Sequence, residues 1–251
     1  MSRNFEFCSK NLLNTTTMIG CSTGTGTFSY LFDRNIDIDF QTEGHTANTS
    51  TVLTVTFDNP TVVSRVMLQG HNLKAYKVFY DGVTANSWAS VTQNSDTSTL
   101  LAPASTTVTS ISIQMDDVIS TGQERSIGEL VIADCKVALD NNPDTGNFTP
   151  KLFGKKIRHE MPDGGTSLFI VGNKYRAKMK LRFVSDSITS ALQELYNDGD
   201  AFYFVPEGTT ASWQGEAREV VWSNDWEFTY GDNAKTQGQN GAIEIEETPS
   251  A

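Results

Sequence analysis

Three histidines (His45, His71 and His159), two close aspartate pairs (Asp37 with Asp39, Asp116 with Asp117) and three cysteines are the side chains of this 251-residue sequence best suited to chemistry. The histidines stand far apart, and none falls in a His-Glu-x-x-His or comparable metal-binding spacing, so each reads as a surface or hydrogen-bonded structural residue. Gly24-Thr25-Gly26 opens like a phosphate-binding loop, but Ser29 replaces the third glycine and no Lys-Ser/Thr follows; a flexible turn is the expectation. Asp140, Asn142 and Asp144 have the early spacing of a calcium loop, yet Thr145 takes the place of the required glycine and no glutamate closes the loop. Asp37 and Asp39 would serve glycoside hydrolysis only if brought face to face with a second carboxylate. Their alternation with Ile36, Ile38 and Phe40 is instead that of an exposed strand face. Cys8, Cys21 and Cys135 lack metal-ligand spacing, and an odd number makes a poor disulfide framework, which fits a reducing compartment. No catalytic residue, metal site or cofactor is expected, and the chain reads as a non-enzyme.

Binding residues are the stronger signal. Tryptophans stack on sugar rings through their apolar faces. Trp88 and Trp213 are flanked by small polar residues and are the candidate ligand-binding pair, whereas Trp226 alternates into a strand pattern and reads as core. A second candidate is electrostatic. Tyr175, Ala177, Met179, Leu181 and Phe183 alternate with Lys174, Arg176, Lys178, Lys180 and Arg182, giving a strand with one apolar and one cationic face. Glu244 and Glu246 alternate in the same way with Ile243 and Ile245. Two readings of the cationic face stand together. The acidic strands of its own sheet can neutralise it by cross-strand pairing, or it can meet an acidic partner, including the acidic face of another copy.

Pairing within its own sheet is the expectation for part of the cationic face, and what remains could mate with the acidic face of a neighbouring copy, because the charge is divided along the sequence. Residues 151–182 carry nine Lys/Arg against Glu160 and Asp163, net +7, while residues 183–251 carry two against thirteen acids, net −11. An overall net charge of −11 argues against specific nucleic-acid binding, which depends on cations to neutralise phosphates. The N-terminal residues lack the apolar core of a signal peptide, and no run approaches the length of a membrane-spanning helix, so no membrane insertion is expected.

These side chains must be positioned by strands. In the first 110 residues, short β-branched or alternating runs (Val52–Phe57, Val62–Leu68, Tyr76–Tyr80, Ile111–Met115) are separated by polar turns, the pattern of an all-β domain. Residues 140–150 concentrate turn formers and lack a strand pattern, which divides the chain into a β-sandwich over 1–139, a linker over 140–150 and an α+β domain over 151–251. In the second domain Ile188, Ala191, Leu192, Leu195 and Tyr196 repeat at helical spacing, with Ser187 or Asp186 as the cap and Gly199 as the stop. Strands are expected at Ala201–Val205, Arg218–Ser223, Asp225–Tyr230 and Gly241–Glu247.

The N-terminal part resembles the discoidin, or coagulation-factor type C, galactose-binding-like family. The resemblance rests on Tyr30-Leu31-Phe32-Asp33-Arg34-Asn35, on Val63–Leu68 followed by Asn72–Gly82 and Trp88, and on Ser126-Ile127-Gly128-Glu129-Leu130-Val131-Ile132. It implies an eight-stranded jelly-roll sandwich that binds glycans or other surfaces through loops at one end. Residues 153–247 resemble the tail-tube-like domains of long-tailed bacteriophages, also found in distal tail and baseplate hub proteins, through a long amphipathic strand pair, one helix and returning strands. Together the resemblances imply a mainly β structural protein of a virion tail, assembled in the host cytoplasm. Its partners would be copies of itself in a ring, neighbouring tail proteins and host-surface saccharides. The alternative is a non-catalytic carbohydrate-binding accessory protein.

Overall fold

Alternation along one long strand sets up the first layer. In β4 (Thr51–Val63), Thr51, Leu53, Val55 and Phe57 are buried while the intervening residues face outward. The same one-sided burial recurs in β9 (Thr106–Val118), which pairs antiparallel with β4, and in β6 (Leu73–Tyr80), which pairs antiparallel with the other side of β9. With β2 (Ile19–Cys21) and β7 (Ser87–Val91) at the edges, they form a five-stranded sheet in the order β2-β4-β9-β6-β7. The turn after β6 uses Asp81 and Gly82, both with positive φ, and the Asp81 carboxylate accepts hydrogen bonds from the backbone N–H groups of Thr109 and Ser110.

The structure is a computed structural model that describes residues 4–23, 26–42, 50–143, 146–160, 166–206, 217–230 and 238–248, with backbone alone for 155–160 and 166–173. Facing the five-stranded sheet is a shorter one, β11-β5-β8, made of β5 (Arg65–Gln69), β11 (Glu129–Ala133) and β8 (Ser98–Leu101). Every residue of β5 and β11 is buried. Val66, Leu68, Leu130 and Ile132 pack with Leu53, Val55, Ile111, Ile113 and Val78 of the larger sheet, forming the core of a β-sandwich. Met67, Val131 and Ala133 point the other way and pack with Cys8, Tyr203, Val205 and Ala217. The short sheet is therefore covered on both faces. That double cover explains why these segments read as near-continuous apolar runs instead of alternating ones. A two-strand ladder of β3 (Phe40–Gln41) and β10 (Ser126–Ile127) completes this part.

The outer cover is a second, larger sheet in the order β12-β1-β15-β16-β18-β14-β13, with β17 (Thr229–Tyr230) paired to β18. It contains β13 (Phe148–Glu160), β14 (Thr166–Val184), β15 (Phe202–Val205), β16 (Arg218–Trp222) and β18 (Gln239–Glu247). It also takes in β1 (Glu6–Cys8) and β12 (Cys135–Ala138), so residues 6–8 and 135–138, which the sequence groups with the sandwich, hydrogen-bond into the sheet built by the C-terminal strands. Phe5, Phe7 and Val137 join Ala177, Met179, Phe202, Phe204, Ile243 and Ile245 in its core.

On that core lies the helix α1 (Asp186–Asp198), which buries Thr189, Leu192 and Leu195. Its cap is Ser185, one residue before the expected pair: the Ser185 Oγ accepts from the backbone N–H of Ile188, and Gly199 ends the helix at φ 64° as expected. Among the described residues the architecture is mainly β, a β-sandwich joined to a larger sheet that carries one α-helix.

Three local expectations are corrected. The alternation of β14 stops before Phe183, because a bulge between Leu181 and Val184 resets the face: Phe183 takes φ 57° and is exposed, and Val184 is buried in its stead. Residues 36–38 form a turn and not a strand, leaving Ile36 and Ile38 exposed while Phe40 alone enters the core. Of the expected strand Asp225–Tyr230 only Thr229–Tyr230 pairs as strand, and Trp226 and Phe228 reach the core from an irregular segment, stacked on each other at 4.6 Å.

Candidate functional site

The cationic face is built as its sequence demands, with Tyr175, Ala177, Met179 and Leu181 buried beneath it and Arg176, Lys178, Lys180 and Arg182 exposed above. Register then decides which charges meet. Arg176 lies opposite Glu246 and Lys178 opposite Glu244, and both pairs form ion pairs, Arg176 to Glu246 at 3.5 Å and Lys178 to Glu244 in closer contact. The Lys178 ammonium holds the Glu244 carboxyl below the usual carboxylate range. Lys180 faces Ala242 and Leu181 faces Gly241, so the acidic series of β18 ends before the cationic series of β14. Among the described residues, Lys174, Lys180 and Arg182 have no ion-pair partner. Lys180 and Arg182 line an open cleft of about 350 Å³ with Glu227 and Asn240.

The β13–β14 hairpin extends well past the sheet that anchors it. β14 pairs with β18 only from Arg176 onward, whereas it pairs with β13 from Met179 back to Thr166. Among the described residues the hairpin is therefore a two-stranded ribbon from Leu152 to Glu160, and β13 is the sheet's edge. Leu152 and Phe153, where the ribbon leaves the sheet, are 68% and 60% exposed. A two-stranded ribbon is marginal in water, and a long edge strand presents unpaired N–H and C=O groups that template further pairing.

The aromatic candidates are only partly placed. Trp88 lies in β7, half-buried, with its ring 4.9 Å from that of Tyr80 and packed at the margin of the sandwich core. Trp213 lies outside the described residues. Trp222 and Trp226 pack with Tyr196 at the rim of the large sheet's core.

The residues weighed for catalysis are dispersed. His71 is buried, its Nδ1 accepting from the backbone N–H of Leu73 at 3.2 Å and its Nε2 lying 3.0 Å from the Thr99 hydroxyl; burial lowers its pKa to about 4. His45 and the side chain of His159 lie outside the described residues. Gly26 has a packing reason for being glycine, since a Cβ there would meet the Gln41 carbonyl oxygen at 2.3 Å and the Phe40 ring at 2.5 Å. Asp116 accepts from Ser50 and Gln114, which ties it into the sandwich surface.

Two buried polar clusters lie within the strands of the short sheet. Arg65, inside the apolar run of β5, donates to both carboxylate oxygens of Glu6, Nε to Oε2 at 2.6 Å and Nη2 to Oε1 at 2.8 Å. This pair joins the sandwich to β1 of the large sheet. Glu129, inside β11, accepts from the backbone N–H of Arg34 at 2.9 Å and lies 3.4 Å from the Tyr203 hydroxyl. Burial, the largest influence, pushes its pKa up to about 8. The Arg34 guanidinium turns instead to Glu219, at 2.6 Å, and to the Thr248 hydroxyl. Arg65 and Glu129 stand in two of the segments that carry the resemblance, each as a charge interrupting an apolar strand, which marks either a buried pair or an edge.

No protein-family model matches the chain, and no curated protein matches it. Among solved structures, the chain is similar to a chitosan-binding module from a chitosanase/glucanase of Paenibacillus sp. IK-5, at 17% identity over 50% of this chain and 98% of the module, with a TM-score of 0.42. It is also similar to CBM32-5 of Clostridium perfringens in complex with GalNAc-β-1,3-galactose, at 12% identity over 45% of this chain and 92% of that one, TM-score 0.39. A GH29 fucosidase of Ruminococcus gnavus in complex with fucose matches at 17% identity over 47% of this chain but 25% of the enzyme, TM-score 0.40.

Proposed function

We propose that this chain is a non-catalytic structural protein that assembles with copies of itself through the β13–β14 hairpin, as a component of a bacteriophage tail, with the sandwich turned toward a neighbouring protein or a saccharide. The observation that carries the reading is the ribbon that leaves the sheet at Leu152 and Phe153, both side chains exposed on an edge with no further partner strand among the described residues. Lone edge strands of this kind are normally shortened, charged or covered. Pairing with a neighbouring subunit covers this one. The unpaired Lys174, Lys180 and Arg182 supply attraction toward an acidic surface, which the chain's own acidic C-terminal third offers. The test is oligomeric state, by light scattering and negative-stain microscopy. Rings or higher oligomers that dissociate on Leu152→Glu with Phe153→Glu support the reading; a chain that stays monomeric at high concentration, and is absent from purified virions, overturns it.

A second reading concerns the sandwich alone, as a carbohydrate-binding accessory unit. It is favoured by Trp88, whose half-buried ring against Tyr80 forms an aromatic platform of the sort that takes the apolar face of a sugar. Binding on a glycan array that is lost in Trp88→Ala, from a chain that forms no oligomer, would select this reading over assembly.

A further inference from the structure

Cys8 and Cys135 are ladder partners, directly opposite each other where β1 and β12 pair antiparallel. Residues so placed have Cα atoms roughly 4.5–5.5 Å apart and project to the same face, within the span that a disulfide bridges. Their sulfur atoms and the Glu6 carboxylate lie within 4.8 Å of one another. A β-bulge between Phe7 and Cys8 loosens the ladder at this point, and the Cys135 backbone N–H donates to the Ser64 hydroxyl at 2.7 Å instead of to β1. Cys8 is wholly buried and Cys135 is half-buried. Cys21, the third cysteine, sits in β2 of the sandwich with its thiol donating to the Thr23 carbonyl.

We infer that Cys8 and Cys135 form a redox-active dithiol that a peroxide converts to an intrachain disulfide, with Cys135 as the attacking sulfur and Cys8 as the resolving one. The roles follow from placement. Cys135 is the less buried of the two and feels the Arg65 charge, which stabilises a thiolate, while Cys8 is wholly buried in the core. The Cys135 thiol donates to the Val137 carbonyl oxygen at 3.5 Å, and the closeness of the two sulfurs lowers the Cys135 pKa while raising that of Cys8, which burial raises further. The Cys135 thiolate attacks one oxygen of the peroxide; the S–O bond forms, the O–O bond breaks and hydroxide leaves to become water. Cys8 then loses its proton and attacks the Cys135 sulfur, expelling the second oxygen as water. The balance is two thiols and hydrogen peroxide giving one disulfide and two waters. A metal ion fits the cluster poorly, because both oxygens of Glu6 are engaged by Arg65 and the site already holds that cation.

The bridge would tie β1 covalently to β12, two strands of one sheet from distant parts of the chain. The experiment uses the full chain, reduced and then treated with stoichiometric hydrogen peroxide, followed by non-reducing peptide mass spectrometry and alkylation of the unfolded product. The expected result is a Cys8–Cys135 cross-linked peptide within one chain, two of three thiols protected and Cys21 fully alkylated. In Cys8→Ser, peroxide should leave a dimedone-reactive sulfenic acid on Cys135, and in Cys135→Ser none on Cys8. Three free thiols after treatment, a bridge that includes Cys21, or uptake of one zinc ion per chain with resistance to oxidation would overturn the inference. The wild-type mapping decides the matter even where a variant fails to fold.

Discussion

Glu129→Gln should make the chain insensitive to pH in a window where the wild type is not. Glu129 is 2% exposed, and its pKa is pushed from the ordinary 4.5 to about 8, mainly by burial. Between those values the folded chain keeps a proton that the unfolded chain has released, so stability falls as pH rises, at a limiting slope of about 1.4 kcal/mol per unit. His71 acts with the opposite sign. Its pKa is lowered from 6.5 to about 4, so between those values the unfolded chain binds a proton that the folded chain lacks, and stability grows with pH. The two slopes nearly cancel between about 4.5 and 6.5. Above that only Glu129 remains, and the wild type should lose about 1.5 kcal/mol between pH 6.5 and 8. A glutamine keeps the oxygen that accepts from the Arg34 N–H and carries no charge, so its curve should be flat there. Between pH 5 and 8 the variant should gain about 3.5 kcal/mol on the wild type. Urea unfolding followed by tryptophan fluorescence at constant ionic strength measures this, provided the m-value is unchanged. Parallel wild-type and variant curves above pH 6.5 would refute the reasoning, because they would mean that Glu129 is ionised in the folded chain.

Other substitutions test separate steps of the argument. Arg65→Met leaves the Glu6 carboxylate buried without its guanidinium and should cost about 3–5 kcal/mol, whereas changing both members of the pair to apolar residues should cost much less; a double-mutant cycle in urea checks the difference. Gly26→Ala should destabilise by about 1–3 kcal/mol because its Cβ meets backbone as well as a ring, and an unchanged midpoint would show that the Phe40 segment yields freely. Ser185→Ala removes the cap of α1 and should cost about 1 kcal/mol, read from thermal unfolding. Lys178→Ala should change stability by less than about 1 kcal/mol, since the pair with Glu244 is solvent-exposed, and raising the salt concentration should erase the effect.

Strand type was legible wherever one face of a sheet meets solvent. The buried and exposed residues of β4 and of β14 up to Leu181 follow their sequence alternation, and α1 follows its helical repeat to Gly199. The same rule gave no purchase on β5 and β11, because a strand covered on both faces loses the alternation that would say which face is which. Phe183 shows the other limit. A bulge shifts the side-chain period without altering composition, so an unbroken pattern on paper becomes an exposed phenylalanine in the fold. For the candidate site, the cationic row could be read from the sequence but its partners could not. Register alone puts Arg176 and Lys178 against glutamates while setting Lys180 against alanine.

The largest gap lay in contacts between segments distant in sequence. Three residues of β1 complete a sheet whose other strands come mostly from beyond residue 147, and no local pattern in Glu6-Phe7-Cys8 specifies that destination. What fixes it is cumulative: Phe7 buried in the large sheet's core, Cys8 against the short sheet's outer face, and Glu6 neutralising an arginine that β5 would otherwise bury alone. Because β5 and β11 need the second sheet to cover Met67 and Val131, and that sheet needs β1 to join β12 to β15, neither sheet is closed without the other. Removal of residues 1–9 should therefore expose the outer face of the short sheet as well as the edge of the large one. Such a truncated chain should bind a hydrophobic dye and lose its cooperative unfolding transition; a truncation that unfolds as cooperatively as the full chain would show that the sandwich is self-sufficient.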